Sequence, residues 1–548
     1  MGYHRLLSFF VLGVFLLAIG VTGATASDSV VGGSSQKEIQ GSGEVLRFGI
    51  HTSKIGNFDP DFAKGSEDAT FADLVFNSLL RYVPGDSSQL EPDIALKIPE
   101  FEIQNNRQIW TIELRKGIFF HDSPYSRAYE LTTEDVVYSL QKAADPERSA
   151  YSGQYDGMAF EVVDAHTLRI VLEKPMSPLF FLPRIANRKG GFILSKRAIE
   201  MSGYETYMQH PVGTGPFRFD HYTAEEKLVL SANEIYFRGR PKLLGVEIHF
   251  IPDNKIREAA FRSGQMDVIY GVGDPGWIEQ MEKEPKTIVD VFGPGFTGLF
   301  HFNTAIKPMA DIRVRQAIVL ALDREAFLAA SSQRLVTPIL APMSSQFLPG
   351  GMTNEKIVLL GLQVDQNIEK ARQLLARAGY AAGFSMDLVT SEKRIYRKTY
   401  EILKSQLDKI GIRVNIQEVV HSKMHQLIRE NRSPIVLYFT FRPNADSYLR
   451  GFFHSDSIVM TGVTPNTNFS HTTTVDKLLD DALNTIHPKE QVRLWEQAQI
   501  RILHDAMVYP LFDINQCVVR RDSVDYGHPL TSTLAGYPQF SEKTHIKK

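Results

Sequence analysis

His421 and His425 stand four residues apart in the run His421-Ser422-Lys423-Met424-His425. On a helix, two imidazoles at that spacing share a face and can both reach one metal ion. No carboxylate stands between them, and Lys423 and Met424 do. With 16 histidines in the chain, such a pair also arises by chance as solvated surface, and no bound metal is expected. His454 and His471 flank a loop and can join a ligand pocket, with solvated histidines as the competing reading. The acidic neighbours Glu225-Glu226 and Asp480-Asp481 point to different faces of their elements and read as solvated charge, not as an acid/base couple.

The other signatures of chemistry are missing. The sequence contains no G-x-x-x-x-G-K-[ST] phosphate loop, no G-x-S-x-G nucleophile elbow and no H-E-x-x-H zinc helix. Its one cysteine, Cys517, rules out an intrachain disulfide and a thiolate cluster. Cys517 lies in an apolar-rich run and reads as a buried structural thiol. Arg520-Arg521 is too short for a nucleic-acid patch, and the net charge of −3 offers no grip on a polyanion. The search favours a binding protein over an enzyme, without a cofactor and without nucleic acid as partner.

A binding site needs elements to carry it. The 548 residues exceed the roughly 250–300 that one core serves, so at least two lobes are expected. Val246, Ile248 and Phe250 alternate with polar residues as a strand. Asp253 caps a helix through Arg257, Ala260 and Phe261, Gly264 ends it, and Asp267-Val268-Ile269-Tyr270 returns as a strand. A second unit runs from Phe384, Met386 and Leu388 through the helical face of Leu403, Leu407 and Ile410, past Gly411, to Ile412, Val414 and Ile416. Upstream, Ile368 to Ala378 forms an amphipathic helix stopped by Gly379. In the first half, 110–114 and 167–172 read as strands, and Thr132 or Thr133 caps a helix with Glu134 and Asp135 in its first turn. Gly213 and Gly215 are expected to make a sharp turn with positive φ.

At the N-terminus, His4 and Arg5 precede the apolar run Leu6 to Val21 and the small-x-small ending Ala24-Thr25-Ala26. This reads as a signal peptide over 1–26, cleaved near Ser27. Residues 27–43, rich in Ser and Gly, read as a flexible leader. No cysteine follows the run, so a protein free in the periplasm is expected.

Several stretches together resemble the periplasmic oligopeptide/dipeptide/nickel-binding family of ABC transporter solute-binding proteins, family 5. They are Trp110 to His121, Leu131 to Val136, Pro211-Val212-Gly213-Thr214-Gly215-Pro216-Phe217, Asn233-x-x-Tyr236-x-x-Gly239, Phe261 to Asp267, Phe302-Asn303, Asp311 to Ala317, Ala321 to Arg324, Asn468-Phe469-Ser470 and Val475-Asp476-x-x-Leu479. They occur in the family's order over roughly residues 44–530. The resemblance implies an α/β, two-lobed binding protein with a hinge and an extra domain inserted in the N-terminal lobe. Its expected boundaries are an N-terminal lobe over 44–300 with the insertion at about 88–210, a C-terminal lobe over 301–514, and a return to the N-terminal lobe with a tail over 515–548. It implies a monomer that captures a small ligand (a peptide, an opine-like conjugate or a metal chelate) between the lobes and hands it to an inner-membrane ABC permease. The alternatives are a periplasmic receptor or chaperone of the same fold and, on a nucleophile or metal constellation not found, a secreted hydrolase.

Ligand specificity is expected in Tyr438 to Leu449. Many relatives have a Trp early in this loop, where Phe439 or Phe441 stands here. The order Arg, Pro, Asp, aromatic resembles a subgroup apart from plain peptide binders. Arg442 can clamp a carboxylate or phosphate with its planar fork. Asp446 can pair a ligand amine or fix Arg442, and Tyr448 is a wall candidate. Asn57 and Phe58, with Asp59, after the first strand, Phe296 and Thr297 before the crossing strand, and Trp277 after the Asp274-Pro275-Gly276 turn complete the candidates.

Overall fold

The computed structural model describes residues 44–188 and 190–548; the signal-peptide and leader expectations over 1–43 lie outside the described residues. Among the described residues no helix is long and apolar enough to cross a membrane.

Among the described residues two large hydrophobic cores, with two smaller clusters beside them, organise the fold. One gathers buried residues between Leu299 and Phe512. The other gathers Leu46 through Val268 together with Val524, Tyr526, Tyr537 and Phe540 from the C-terminal return. Two long strands, Thr287–Phe302 and Val508–Arg521, run antiparallel from one lobe to the other. In the N-terminal lobe the second of them pairs with Val268–Tyr270. In the C-terminal lobe the first pairs with Ile435–Thr440. Their mutual register shifts between Phe292 and Phe296, where the cis Gly293-Pro294 peptide lies. Phe296 and Thr297 therefore sit inside the crossing strand and not ahead of it.

Both strand–helix–strand units form, in different ways. Phe384–Ser391 and Ile412–Val419 are adjacent and parallel, with Arg394–Asp408 between them in sequence. Gly245–Phe250 and Val268–Tyr270 instead flank Val45–Ile50, each parallel to it. The expected stops Gly264, Gly379 and Gly411 all have positive φ. Gly213 and Gly215 do not, and this corrects the expectation of a left-handed turn. They are glycines because the backbone of Leu74 and Val75 passes close by: a Cβ on Gly213 would stand 2.0 Å from the Val75 carbonyl oxygen, and one on Gly215 2.5 Å from that of Leu74. A Gly215 N–H donates to the Val75 carbonyl at 2.8 Å.

The segment between Leu80 and Val212 carries its own four-stranded sheet, ordered Glu100–Gln104, Arg107–Glu113, Thr167–Leu172, Met158–Asp164. Its helix Thr133–Ala144 opens on a capping box of Thr132 and Asp135. From that helix Lys142 reaches into the loop after the first strand, with Nζ 2.7 Å from Asp59 and 2.5 Å from Asp61, all three side chains buried.

Cys517 is buried and its thiol is pushed up to about 12 by burial. At pH 8 that leaves a thiolate fraction of about 10⁻⁴, and the thiolate is the reactive species. The native protein is expected to leave an aromatic disulfide reagent unconsumed until denaturant is added; rapid stoichiometric release of thiolate chromophore without denaturant would contradict this burial.

The interlobe cleft as candidate ligand site

The hinge is built from small residues because rings press on it. A Cβ on Gly293 would meet the Phe347 ring at 2.0 Å and one on Gly298 the Phe439 ring at 2.2 Å. Beside it the crossing strand and the Ile435–Thr440 strand end open a small cavity lined by Pro294, Thr297, Ser344, Phe441, Arg442 and Tyr448, among others. Its volume is about 10 Å³, room for about one water molecule. Its lining comes from the crossing strand and the C-terminal lobe, so a ligand group larger than a water enters only if these walls open.

Polar side chains with unused hydrogen-bonding capacity lie in these walls and just behind them. Arg442 donates through one amino nitrogen, Nη1, to Thr440 Oγ1 at 2.7 Å and to the Phe441 carbonyl at 3.2 Å. Among the described residues its Nε and Nη2 find no acceptor, and no carboxylate pairs with it. The guanidinium also lies 5.5 Å from the Phe452 ring centroid. Tyr448, buried beside Thr297, has a hydroxyl without a well-formed hydrogen bond, and burial raises its pKa. Thr297 donates to Asp513 Oδ1 at 2.6 Å, while Asp513 Oδ2, near Ser344, lacks a well-formed bond. Burial raises the Asp513 carboxyl. Asn515 Oδ1 is likewise unpartnered, near Gly295. Buried polar atoms such as those of Tyr448, Asp513 and Asn515 cost roughly 1–3 kcal/mol each when left unpaired.

The candidates divide accordingly. Thr297, Phe441, Arg442 and Tyr448 come together at the cavity. Asp446 lies one helical turn from Arg450, in Ala445–Phe453. Its charged neighbours are Arg450, His454 and Asp480, and burial pushes it up to about 6; no contact joins it to Arg442. Phe296, 44% exposed, lies on the crossing strand opposite Ile514. Asn57 accepts the Asp59 N–H in a turn and donates its own N–H to Asp68. Phe58 packs edge-on against Phe71, Phe219 and Tyr222 in the N-terminal lobe. Trp277 donates from its indole to Glu258 at 3.0 Å. Phe439 is a packing residue, against Tyr396 and Phe512.

A second cavity, of about 160 Å³, escaped the sequence reading. It is lined by Lys64, Asp73, Tyr82, Tyr151, Arg188 and Leu534, among others, which lie far apart along the chain. Asp73 is half-buried, accepts from Asn187 at 2.6 Å and Gln539 at 3.0 Å, and is pushed up to about 6 by desolvation. Arg188 is lowered by the same cause, and no carboxylate pairs with it among the described residues. The cavity adjoins the hinge through the segment after Ser532, which bridges Gly293.

The lobes also touch at two rims. Phe180 of the inserted segment lies 5.9 Å from Trp495 of the C-terminal lobe. Arg394 lies 3.7 Å from Asp274, at 61% and 52% side-chain exposure. An ion pair so exposed contributes at most about 1 kcal/mol. Asp274→Asn is accordingly expected to change ligand affinity by less than about fivefold, as titration calorimetry would read.

Residues 89–458 match the family model described as bacterial extracellular solute-binding proteins, family 5 Middle. The chain is 27% identical to heme-binding protein A of Haemophilus influenzae over 492 residues, covering 85% of this chain and 84% of that protein. It is 25% identical to the dipeptide-binding protein of Escherichia coli K12 over 475 residues, covering 82% and 85%. Among solved structures, the binding protein MoaA of A. tumefaciens R10 in complex with mannopinic acid superposes with a TM-score of 0.68 at 31% identity, over 92% of this chain and all of that one. HbpA2 of Haemophilus parasuis superposes with a TM-score of 0.77 at 24% identity, over 92% of this chain and 100% of that one. With its two lobes, its paired crossing strands and a model match over most of its length, the chain belongs to the bacterial extracellular solute-binding proteins of family 5.

Proposed function

We propose that this protein is the periplasmic capture component of an ABC importer, taking a small ligand with an anionic end between its lobes and presenting it to an inner-membrane permease. Family membership supports capture and not turnover. The observation that carries the anionic end is the Arg442 fork, which has free Nε and Nη2 donors beside the hinge. Tyr448, Thr297 and Phe441 complete that wall, and the cavity at Arg188 and Asp73 receives the ligand's other end. Relatives are named for dipeptides, heme and mannopinic acid, and each of these ligands carries a carboxylate suited to such a fork.

Closure follows from the same geometry. A ligand that pairs the polar atoms of the Arg442 wall and also touches the N-terminal lobe holds both lobes, so it binds the closed state preferentially. Native mass spectrometry of the purified mature protein, followed by denaturation and identification of what is released, tests the reading. A co-purified peptide or anionic conjugate supports it. A released ligand with no anionic group, or consumption of the ligand during incubation, sinks it.

A further inference from the structure

We propose that His421 and His425 form a binding site for a divalent transition-metal ion of the nickel, copper or zinc type, independent of the Arg442 cavity. The two residues lie on the helix His421–Arg429. Their Nε2 atoms are 3.1 Å apart, with the rings inclined at 76°. Two imidazole nitrogens each bound at about 2.1 Å, at right angles around one ion, stand about 3.0 Å apart. The pair thus holds the bite of a chelate before any ion arrives.

The surroundings orient one ligand and restrain the other. Ser391 Oγ lies 3.0 Å from His421 Nδ1 and donates its proton to Glu392 Oε2 at 3.1 Å. The serine oxygen is left to accept from Nδ1–H, which places the lone pair of His421 on Nε2, as a ligand requires. His425 Nδ1 faces Arg429 Nη1 at 3.3 Å. Arginine only donates, so in the metal-free protein the His425 proton is on Nε2 and is shared with His421. Binding moves that proton to Nδ1, and Arg429 must turn away. It retains the His425 carbonyl and the Tyr438 hydroxyl, at 3.1 and 3.2 Å, as alternatives. Among the described residues no third His, Cys, Asp or Glu completes the set. The remaining positions go to water or to a small amino-acid chelator. The site lies at the carboxyl ends of the strands Phe384–Ser391 and Ile412–Val419, the edge that also carries Arg394 and its contact with Asp274.

Calorimetric titration of tag-free protein with NiCl₂, CuSO₄ and ZnCl₂ tests this, with pulsed EPR of the copper form. One ion per chain and two imidazole nitrogens on copper are expected. His421→Ala and His425→Ala should each leave one imidazole and remove tight binding, with thermal melts showing the variants folded. Ser391→Ala should weaken binding roughly tenfold, whereas Arg429→Ala should tighten it, an effect that mere structural damage would not produce. Affinity unaltered by His421→Ala, binding of none of the three ions, or a single imidazole on copper in the unmodified protein would overturn the site.

Discussion

Arg442→Ala is expected to weaken capture of an anionic ligand by about 2–5 kcal/mol, or roughly 30- to 4,000-fold in Kd. The range follows from where the fork lies. Nη1 is committed to Thr440 and Phe441, which holds the guanidinium plane in place, and Nε and Nη2 remain for a bidentate partner. Arg442 is half-buried in the cavity wall, and closure of the lobes over a bound ligand end would keep the pair from water and only weakly screened by salt. Arg442→Lys should recover part of the loss, because it keeps the charge and gives up the planar geometry. Ligand-free stability should change little, since Arg442 has no ion pair to lose among the described residues. Titration of the ligand released from the native protein reads these values. Equal affinity of wild type and Arg442→Ala would remove Arg442 from the site and with it the anionic end of the proposed ligand.

The sequence displayed the fold more openly than the site. Strand alternation and helix stops depend on neighbours in the chain, and Gly264, Gly379 and Gly411 take the left-handed conformation their positions required. The Gly213 and Gly215 turn was visible as a turn, but its cause was not, because that cause is the backbone of Leu74 and Val75 more than a hundred residues away. The loop at Arg442 stood out through its resemblance to the family's specificity segment, and Phe441, Arg442 and Tyr448 of that loop line one cavity. Asp446 belongs to that cluster in sequence and not in space: Asn444 caps a helix through the Ser447 N–H, and the first helical turn carries Asp446 toward Arg450 and His454. Phe58 follows the first strand, where cleft loops begin, yet Asp68 gathers the N–H groups of Gly56 and Asn57 and folds that loop back onto its own lobe. Arg188 and Asp73 meet only in the folded chain, and neither carries a motif.

The largest effect on stability is expected at Lys142. Its ammonium stands between two buried carboxylates, Asp59 and Asp61, and also donates to the Arg148 carbonyl at 3.1 Å. Tyr204 donates to Asp59 as well. Two negative groups share one cation, so burial and the nearness of Asp59 outweigh Lys142 and hold Asp61 up to about 7. That value lies above the roughly 3.9 of an unfolded aspartate. Between the two values the folded state therefore holds the Asp61 proton more firmly, and the stabilisation from that proton is complete below about 4 and lost as pH rises through about 7. Lys142→Met removes the cation and leaves both carboxylates buried without a counter-charge, which costs about 3–5 kcal/mol at pH 8. On acidification the carboxylates take up protons instead, and the penalty shrinks. Urea unfolding followed by fluorescence should show the variant's midpoint far below wild type at pH 8 and closer to it at pH 5, and Asp61→Asn in the Lys142→Met background should restore much of the difference. A gap that stays constant from pH 8 to pH 5 would mean that Lys142 acts by filling space. A gap that narrows on acidification would mean that charge compensation in this triad fastens the inserted segment to the N-terminal lobe, and with it one wall of the cavity that holds Arg188.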